Sequence, residues 1–283
     1  MKTIYLNCEN GVSGDMVLNA LIGLTEDPGT VRANIDRVTA LIEEKGSGAH
    51  DHEELGIHSH GHEHHHDHSH GHGHGHEHEH HHDHGQGHHH DHGHGHHHDH
   101  DHGHHHGHGH GDQSHRSYRE VMEIISSVPV SSRIKTVAEQ IYAVIAKAES
   151  AVHGEPLETL HFHEVGRDQA IANAMGVAVC IDALRPDQVI TSEICDGHGT
   201  VQCAHGVLNV PVPAVKAMLD SCDLAYRQTE HEGEMVTPSG LAMVLGIGAK
   251  TGVKPDGKPV REAEAKGARS FAEHGLIAEL FSD

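Results

Sequence analysis

The sequence predicts a mixed α/β (α+β) globular body that is interrupted by a disordered, histidine-rich insertion at residues 50–115. All but seven of the 41 histidines fall within this stretch, where histidine recurs with Gly, Asp and Glu and apolar side chains are almost missing. Such a segment cannot offset the conformational entropy lost on folding. The flanking sequence instead alternates short extended runs with amphipathic helical runs, which is typical of a mixed α/β fold.

The body is predicted to begin with a strand over residues 2–6, a polar loop and an apolar helix over residues 15–22. A second helix is predicted over residues 31–44, ended by Gly46. After the insertion, helices are predicted over 118–128, 132–152, 171–184, 214–219 and 238–245, strands over 160–165, 188–195 and 200–203, and a weaker helix over 262–283.

The predicted division of the chain has four parts. Residues 1–49 form the strand-loop-helix start of the body, 50–115 the insertion, 116–250 the main α/β body, and 251–283 a weakly ordered C-terminal segment that leads into a further domain. The core must be aliphatic, because the chain has no Trp, three Phe and four Tyr.

Charge and cysteine content argue against several classes of protein. The formal net charge of −23, from 19 Lys+Arg against 42 Asp+Glu, argues against nucleic acid as a partner. Five cysteines without a CxxC pair favour a reducing cytosol. The chain has no apolar run of the roughly 18 residues that a membrane span needs, so we expect a cytoplasmic protein with no membrane partner.

The histidine tract predicts binding of transition-metal ions, because neutral imidazole suits Ni, Zn, Cu and Co. At about four to six imidazoles per ion, it would hold on the order of six to eight ions. The alternative is a low-complexity linker without a metal role, and ligand type alone leaves the choice of metal open. The clustered histidines are His64, His65, His66, His80, His81, His82, His88, His89, His90, His96, His97, His98, His104, His105 and His106.

A second candidate metal site lies in the body, in the run from His161 to Glu164. On a strand, His161 and His163 would share a face, and the preceding helix would present Glu149 and His153 one turn apart. These groups could give one ion three imidazoles and a carboxylate. The alternative is that the histidines are surface or structural residues.

Two further segments have the composition of ligand-binding loops. Between the first strand and helix, Gly11, Ser13 and Gly14 could direct backbone N–H groups at a phosphate, although an N-cap and turn would have the same composition. Residues 197–206 and 236–240 contain Gly199, Thr237 and Gly240, where glycine permits close approach to a ligand. Cys203 and His205 could share one face there, although such residues are often structural. The ligand expected at these two segments is a cofactor or its phosphate group.

Taken in order, four motifs resemble the N-terminal portion of the LarC-type nickel-insertion proteins. They are residues 7–21, 148–166, 197–213 and 234–242. The departures are Asn7 and Asn10 for Asp and Ser, Gln169 and Asn173 where acidic residues are usual, and Asn209 for Pro.

The resemblance implies a nickel insertase of the lyase, cyclometallase type, which completes the nickel-pincer cofactor of lactate racemase-type enzymes. The substrate would be pyridinium-3,5-bisthiocarboxylic acid mononucleotide, and apo lactate racemase the recipient. CTP with a divalent cation would assist through a C-terminal domain or partner chain, without which the chain could be incomplete.

Residue types suggest roles in that reaction. Glu164 or Asp15 would accept the ring proton, and His153, His161, His163 and Cys203 would lie on the nickel path. His205 is a further candidate metal ligand. The histidine tract would be a nickel reservoir.

The alternative function is a non-enzymatic nickel-storage protein or metallochaperone. A zinc hydrolase is disfavoured because the body has no HExxH spacing.

Overall fold

The computed structural model describes residues 1–48, 116–203, 206–268 and 273–282. The predictions for the tract at residues 50–115, and for His205, lie outside the described residues. The elements are β1 Lys2–Asn7, α1 Gly14–Leu24, α2 Pro28–Gly48, β2 Arg116–Ser117, α3 Tyr118–Ser127, α4 Ser132–His153, β3 His161–Phe162, a 3-10 turn at Glu164–Gly166, α5 Asp168–Leu184, β4 Gln188–Thr191, β5 Ile194–His198, β6 Thr200–Cys203, β7 Gly206–Asn209, α6 Pro213–Asp220, β8 Tyr226–Glu232, α7 Pro238–Gly246, β9 Lys250–Thr251, β10 Arg261–Ala265 and β11 Leu276–Ser282.

The largest sheet has the strand order β10-β11-β1-β4-β9. The first strand lies in its middle, antiparallel to β11 and parallel to β4. Within the described residues, three smaller sheets pair β2 with β3, β5 with β8, and β6 with β7. The mixture of parallel and antiparallel pairs among packed helices confirms the predicted mixed α/β fold.

Helix ends follow from local capping residues. Ser13, Ser117 and Ser131 accept backbone N–H groups at the starts of α1, α3 and α4, and Ser117 forms a reciprocal capping box with Glu120. The fourth helix ends at Gly154, which adopts a left-handed conformation with φ of 68°. These caps fix where α4 stops, and therefore where His153 lies.

The core is mainly aliphatic, as the composition predicts, with Tyr142 and Phe162 also buried in it. Helix α5 is buried on nearly all sides and packs against α1, α2 and α4. The largest fully buried side chains are Tyr142, Phe162, Ile4, Leu6, Leu21, Leu24, Ile42, Ile125, Ile141, Leu160, Ile171 and Met175.

Four predicted elements are wrong in type or extent. The helix predicted over 262–283 is wrong, because β10 and β11 form an antiparallel pair within this range, and tertiary pairing overrides the helix propensity of Glu and Ala. The strand predicted over 160–165 shrinks to β3, since the backbone turns at His163 into the 3-10 turn. The strand over 188–195 divides into β4 and β5. The helix predicted to end at Gly46 continues to Gly48.

The predicted division of the chain at residues 49, 115 and 250 stays a prediction. Among the described residues, no helix combines the length and apolar character needed to cross a membrane.

Candidate functional site

A cavity of about 390 Å³ brings together residues from three of the four sequence motifs. Predicted site residues among its lining are His153, His163, Glu164, Cys203 and Thr237. The other lining residues are Glu149, Val152, Val165, Ala170, Val201, Leu208, Val212, Pro213, Ala214, Glu234, Pro238 and Ser239.

One side of the cavity, here called the polar wall, consists of Glu149, His153, His163 and Glu164. The first two lie one turn apart at the end of α4, and the His153 Nε2 atom is 3.3 Å from Glu149 Oε2. The ring centroids of His153 and His163 are 6.0 Å apart. Two imidazoles and two carboxylates therefore line one cavity, which is a donor set suited to a divalent transition metal.

The polar wall does not form a closed metal site. In the part of the chain that the structure describes, no three His, Cys, Asp or Glu side chains are grouped so that they could hold a metal ion. A three-ligand site from Glu149, His153 and His163 would require side-chain rotation.

The loop that carries His163 and Glu164 is held by buried contacts. The Arg116 guanidinium donates to the Gly166 carbonyl at 3.0 Å and lies 2.6 Å from the Asp168 carboxylate. The Tyr142 hydroxyl donates to the Val165 carbonyl at 2.8 Å. Because a buried charge is costly unless it is paired and hydrogen-bonded, Arg116 fixes this loop firmly.

Another set of lining residues, here called the apolar wall, consists of Val201, Leu208, Val212, Pro213 and Ala214. The first two belong to the β6–β7 hairpin and the others to the start of α6. The first turn of α6 has no side-chain cap, whereas Thr237 caps α7 by accepting the Gly240 N–H at 3.1 Å. Two helix N-termini thus border the cavity, and such ends favour anions.

A buried carboxylate supports the segment that leads into α7. Asp196 is fully buried, and its Oδ1 atom accepts N–H groups from Gly197 at 2.8 Å, Met235 at 2.9 Å and Val236 at 3.0 Å. Burial raises the pKa of this carboxyl, while the backbone hydrogen bonds oppose the rise. The Asp196 side chain therefore connects β5 to the segment that carries Thr237.

The predicted glycine-rich loops pack mainly against each other. A Cβ atom on Gly240 would lie 2.6 Å from Ser13 Cα, and one on Gly11, whose φ is +86°, would lie 2.3 Å from the Met235 carbonyl oxygen. The Ser13 hydroxyl accepts the Met16 N–H as an N-cap. Gly14 lies beside Ser239. The space beside these glycines is filled by other parts of the chain. Among the predicted residues of these loops, Gly11, Ser13, Gly14 and Gly240 do not line the cavity.

Three other predicted site residues also lie outside the cavity lining. Asp15 is exposed and accepts a hydrogen bond from Asn173 Nδ2 at 2.8 Å. His161 is exposed. Because β3 ends at Phe162, His161 and His163 do not belong to one strand and do not share a strand face. The Gly199 carbonyl accepts the Val210 N–H at 2.9 Å, which fixes the chain just before the apolar wall.

The cysteines differ in how deeply they are buried. Cys203 is partly exposed in the cavity. Cys8 is buried and receives a hydrogen bond from the Thr191 hydroxyl at 3.3 Å, and burial raises its pKa to about 12. Because Cys8 is fully buried and does not line the cavity, Cys203 is the better candidate for a metal ligand there.

Sequence reasoning missed the apolar wall and the cavity residues Glu234 and Ser239. The apolar residues belong to β6, β7 and α6, where they resemble ordinary core residues. Glu234 and Ser239 lie inside the fourth motif, and their position beside Thr237 was the available signal.

Comparisons with known proteins agree with the motifs. A family model described as nickel insertion protein matches residues 4–280. A pyridinium-3,5-bisthiocarboxylic acid mononucleotide nickel insertion protein of Alkaliphilus metalliredigens is 41% identical over 136 residues, 48% of this chain and 32% of the relative. The protein of the same description from Acetivibrio thermocellus is 36% identical over 140 residues, 50% of this chain and 34% of the relative.

A putative nickel insertion protein of Geobacter sp. is 37% identical over 162 residues, 57% of this chain and 42% of the relative. The chain therefore spans less than half the length of the curated relatives it matches. No solved structure matches it. Since the family model covers nearly all of the chain, the chain belongs to the nickel insertion protein family.

Proposed function

We propose that this chain takes part in inserting nickel into pyridinium-3,5-bisthiocarboxylic acid mononucleotide, and that the cavity is where insertion occurs. Two relatives carry this activity in their descriptions. The observation that carries the proposal is the meeting of imidazole, thiol and carboxylate groups from separate motifs in one cavity. A nickel-insertion site needs these groups, because the metal must be held and a proton removed.

The reaction breaks one ring C–H bond and forms a C–Ni bond, and two thiocarboxylate sulfurs complete the attachment. The electron pair of the C–H bond passes to nickel, and the proton goes to a base. Of the two carboxylates predicted as the base, Glu164 lines the cavity and Asp15 does not. We therefore assign the proton to Glu164, and the nickel path to His153, His163 and Cys203.

The remaining lining suits the organic substrate. Val201, Leu208 and Val212 offer an apolar surface to a flat pyridinium ring. The helix N-termini at Ala214 and Ser239 attract the anionic phosphate or thiocarboxylate groups. The substrate would thus lie with its ring on the apolar wall and its reacting carbon toward the polar wall.

Other parts of the proposal depend on partners. We propose that CTP and its divalent cation, which the family resemblance implies, act through a C-terminal domain or partner chain. The histidine tract would supply nickel, apo lactate racemase-type enzymes would receive the product, and the reaction would occur in the cytoplasm.

The test uses Glu164→Gln and the matched Asp15→Asn variant, which removes the other predicted base outside the cavity. Each chain is incubated with nickel, precursor and CTP, with and without the C-terminal portion of a relative, and product is measured by mass spectrometry. We expect Glu164→Gln to lose insertion and Asp15→Asn to keep it. The reverse result would contradict the assignment, and tight nickel binding without any product from the unmodified chain would favour a storage protein or metallochaperone.

A further inference from the structure

The lining of the cavity carries an excess of negative charge. It contains three carboxylates, Glu149 and Glu164 from the polar wall and Glu234 from the segment that leads into α7. Glutamate side chains ordinarily carry a full negative charge at neutral pH. Among the described residues, the lining contains no Lys or Arg that would balance this charge. With its two histidines neutral, the lining therefore has three negative charges and no positive side chain.

The helix ends around the cavity do not cancel this charge. Each end of a helix acts as about half an elementary charge. The N-termini of α6 and α7 are positive, whereas the C-terminus of α4, at His153, is negative. Their sum is about half a positive charge, which is small beside three carboxylates. The cavity without a metal ion therefore has a negative net charge.

The precursor that gives the relatives their description is also mainly anionic. Thiocarboxylic acids ionise below neutral pH, and a phosphate monoester carries a charge of about −1.5 to −2, against a single pyridinium cation. A cavity of 390 Å³ is about 9 Å across, which is shorter than the Debye length of about 10 Å at 0.1 M salt. The carboxylates and the precursor would therefore repel each other with little screening.

We infer that nickel enters the cavity before the precursor, because the metal neutralises carboxylates that otherwise repel the precursor. This inference rests on the proposed function, which makes the cavity the insertion site. The two positive charges of a nickel ion offset most of the negative charge of the lining. The ion would bind at the polar wall, where imidazole and carboxylate side chains line the cavity. It would then attract the thiocarboxylate sulfurs that become its ligands.

The first experiment measures binding of the precursor to the full chain by equilibrium dialysis, with and without one equivalent of nickel. CTP is left out, and mass spectrometry checks that the bound precursor is unchanged. We expect nickel to tighten binding about 100-fold, at about tenfold for each charge that is neutralised. Equal binding with and without nickel would overturn the inference.

The salt dependence of the same binding has a distinctive sign. Raising the salt concentration from about 0.05 to about 0.5 M weakens repulsion between charges of the same sign. Binding of the precursor to the metal-free chain should therefore tighten with salt. A site that attracts the precursor through positive charge would show the opposite trend, and that result would contradict the inference.

The second experiment removes one charge from the lining without nickel. Glu234→Gln keeps the size of the side chain and should tighten metal-free binding of the precursor about tenfold, which corresponds to about 1.4 kcal/mol. Glu232→Gln is the matched control, because its side chain is exposed and does not line the cavity. A misfolded variant cannot imitate a gain of binding. Equal changes in the two variants, or no gain in Glu234→Gln, would show that the lining charge does not control the order.

Product formation separates this inference from the proposed function. If the precursor binds only after nickel but no product forms under any condition, the proposed function fails and the binding order stands. If product forms and the precursor binds equally well without nickel, the proposed function stands and the binding order fails. If the precursor binds under no condition, both are contradicted.

Discussion

The polar and apolar walls of the cavity differ both in chemistry and in how they are supported. The polar wall lies on the end of α4 and on a loop held by the buried Arg116 guanidinium. The apolar wall follows a hairpin, and Gln228 Nε2 donates to the Val210 carbonyl beside it at 3.0 Å. Under the proposed function, metal handling and substrate fit would therefore depend on separate supports, so substitutions should affect one without the other.

The largest expected effect separates two histidines that are two residues apart. His163→Ala removes an imidazole from the polar wall, while His161→Ala removes an exposed one outside the cavity. Because even outer partners of metal ligands contribute about 10–100-fold, we expect His163→Ala to lower insertion about 100-fold or more. The measurement is the rate of product formation at fixed nickel, and equal losses in both variants would contradict the cavity as the site.

The next prediction concerns Gly240, where the fourth motif is in close contact with the first. In Gly240→Ala the new Cβ atom would lie 2.6 Å from Ser13 Cα and from the Val12 carbonyl oxygen, both backbone atoms that cannot easily move. Overpacking of this kind costs about 1–3 kcal/mol, measurable by urea unfolding. Gly29→Ala is the control, since its Cβ would meet only an Asp27 carboxylate oxygen at 3.3 Å. Equal unfolding free energies for both variants would show that the contact relaxes freely.

A smaller effect should appear on the apolar wall. Leu208→Ala removes apolar surface from the cavity, and losing about 1.4 kcal/mol of contact would raise the KM for the precursor about tenfold. Nickel binding should be unchanged. Val207→Ala is the matched control, because its side chain is 65% exposed and does not line the cavity. A changed nickel dependence in Leu208→Ala would mean that the two walls are not separable.

The smallest expected effect is a pH dependence of the stability that Asp196 contributes to the segment before α7. The folded-state pKa of Asp196 is raised by burial, so the folded protein holds its proton more tightly than the unfolded chain. Stability from this group is therefore greatest below the ordinary aspartate pKa of about 3.9 and is lost as pH rises through the folded value. The unfolding free energy of the unmodified chain, minus that of Asp196→Asn, should fall as pH increases over this range. A constant difference would contradict the shift.

The helices were predictable because their apolar residues recur with a helical period. The N-cap at Ser13 also acts locally, and the sequence offered it as the alternative for that loop. The strand pairing was not predictable, because β10 and β11 contain alanines and glutamates, β10 pairs only with β11 in the described sheet, and β11 pairs with β1, more than 250 residues earlier.

The candidate site was predictable in part. His153, His163, Glu164, Cys203 and Thr237 were candidates from residue type and motif, and all five line the cavity. The predicted alignment of His161 with His163 failed because the backbone turns. The roles of the cavity residues stay predictions, as does metal binding by the tract.

The central position of β1 also has a consequence for how the chain is made. Thr3 pairs with Gln188 on one side and Phe281 on the other. At about 5–20 residues per second, a ribosome needs on the order of ten to sixty seconds between making this strand and making its partners. Until β4 is made the strand has no neighbour in the sheet, and until β11 is made one of its edges stays open to aggregation. Completion of the sheet must therefore follow synthesis of β11, and chaperone binding to the nascent N-terminus would protect the chain until then.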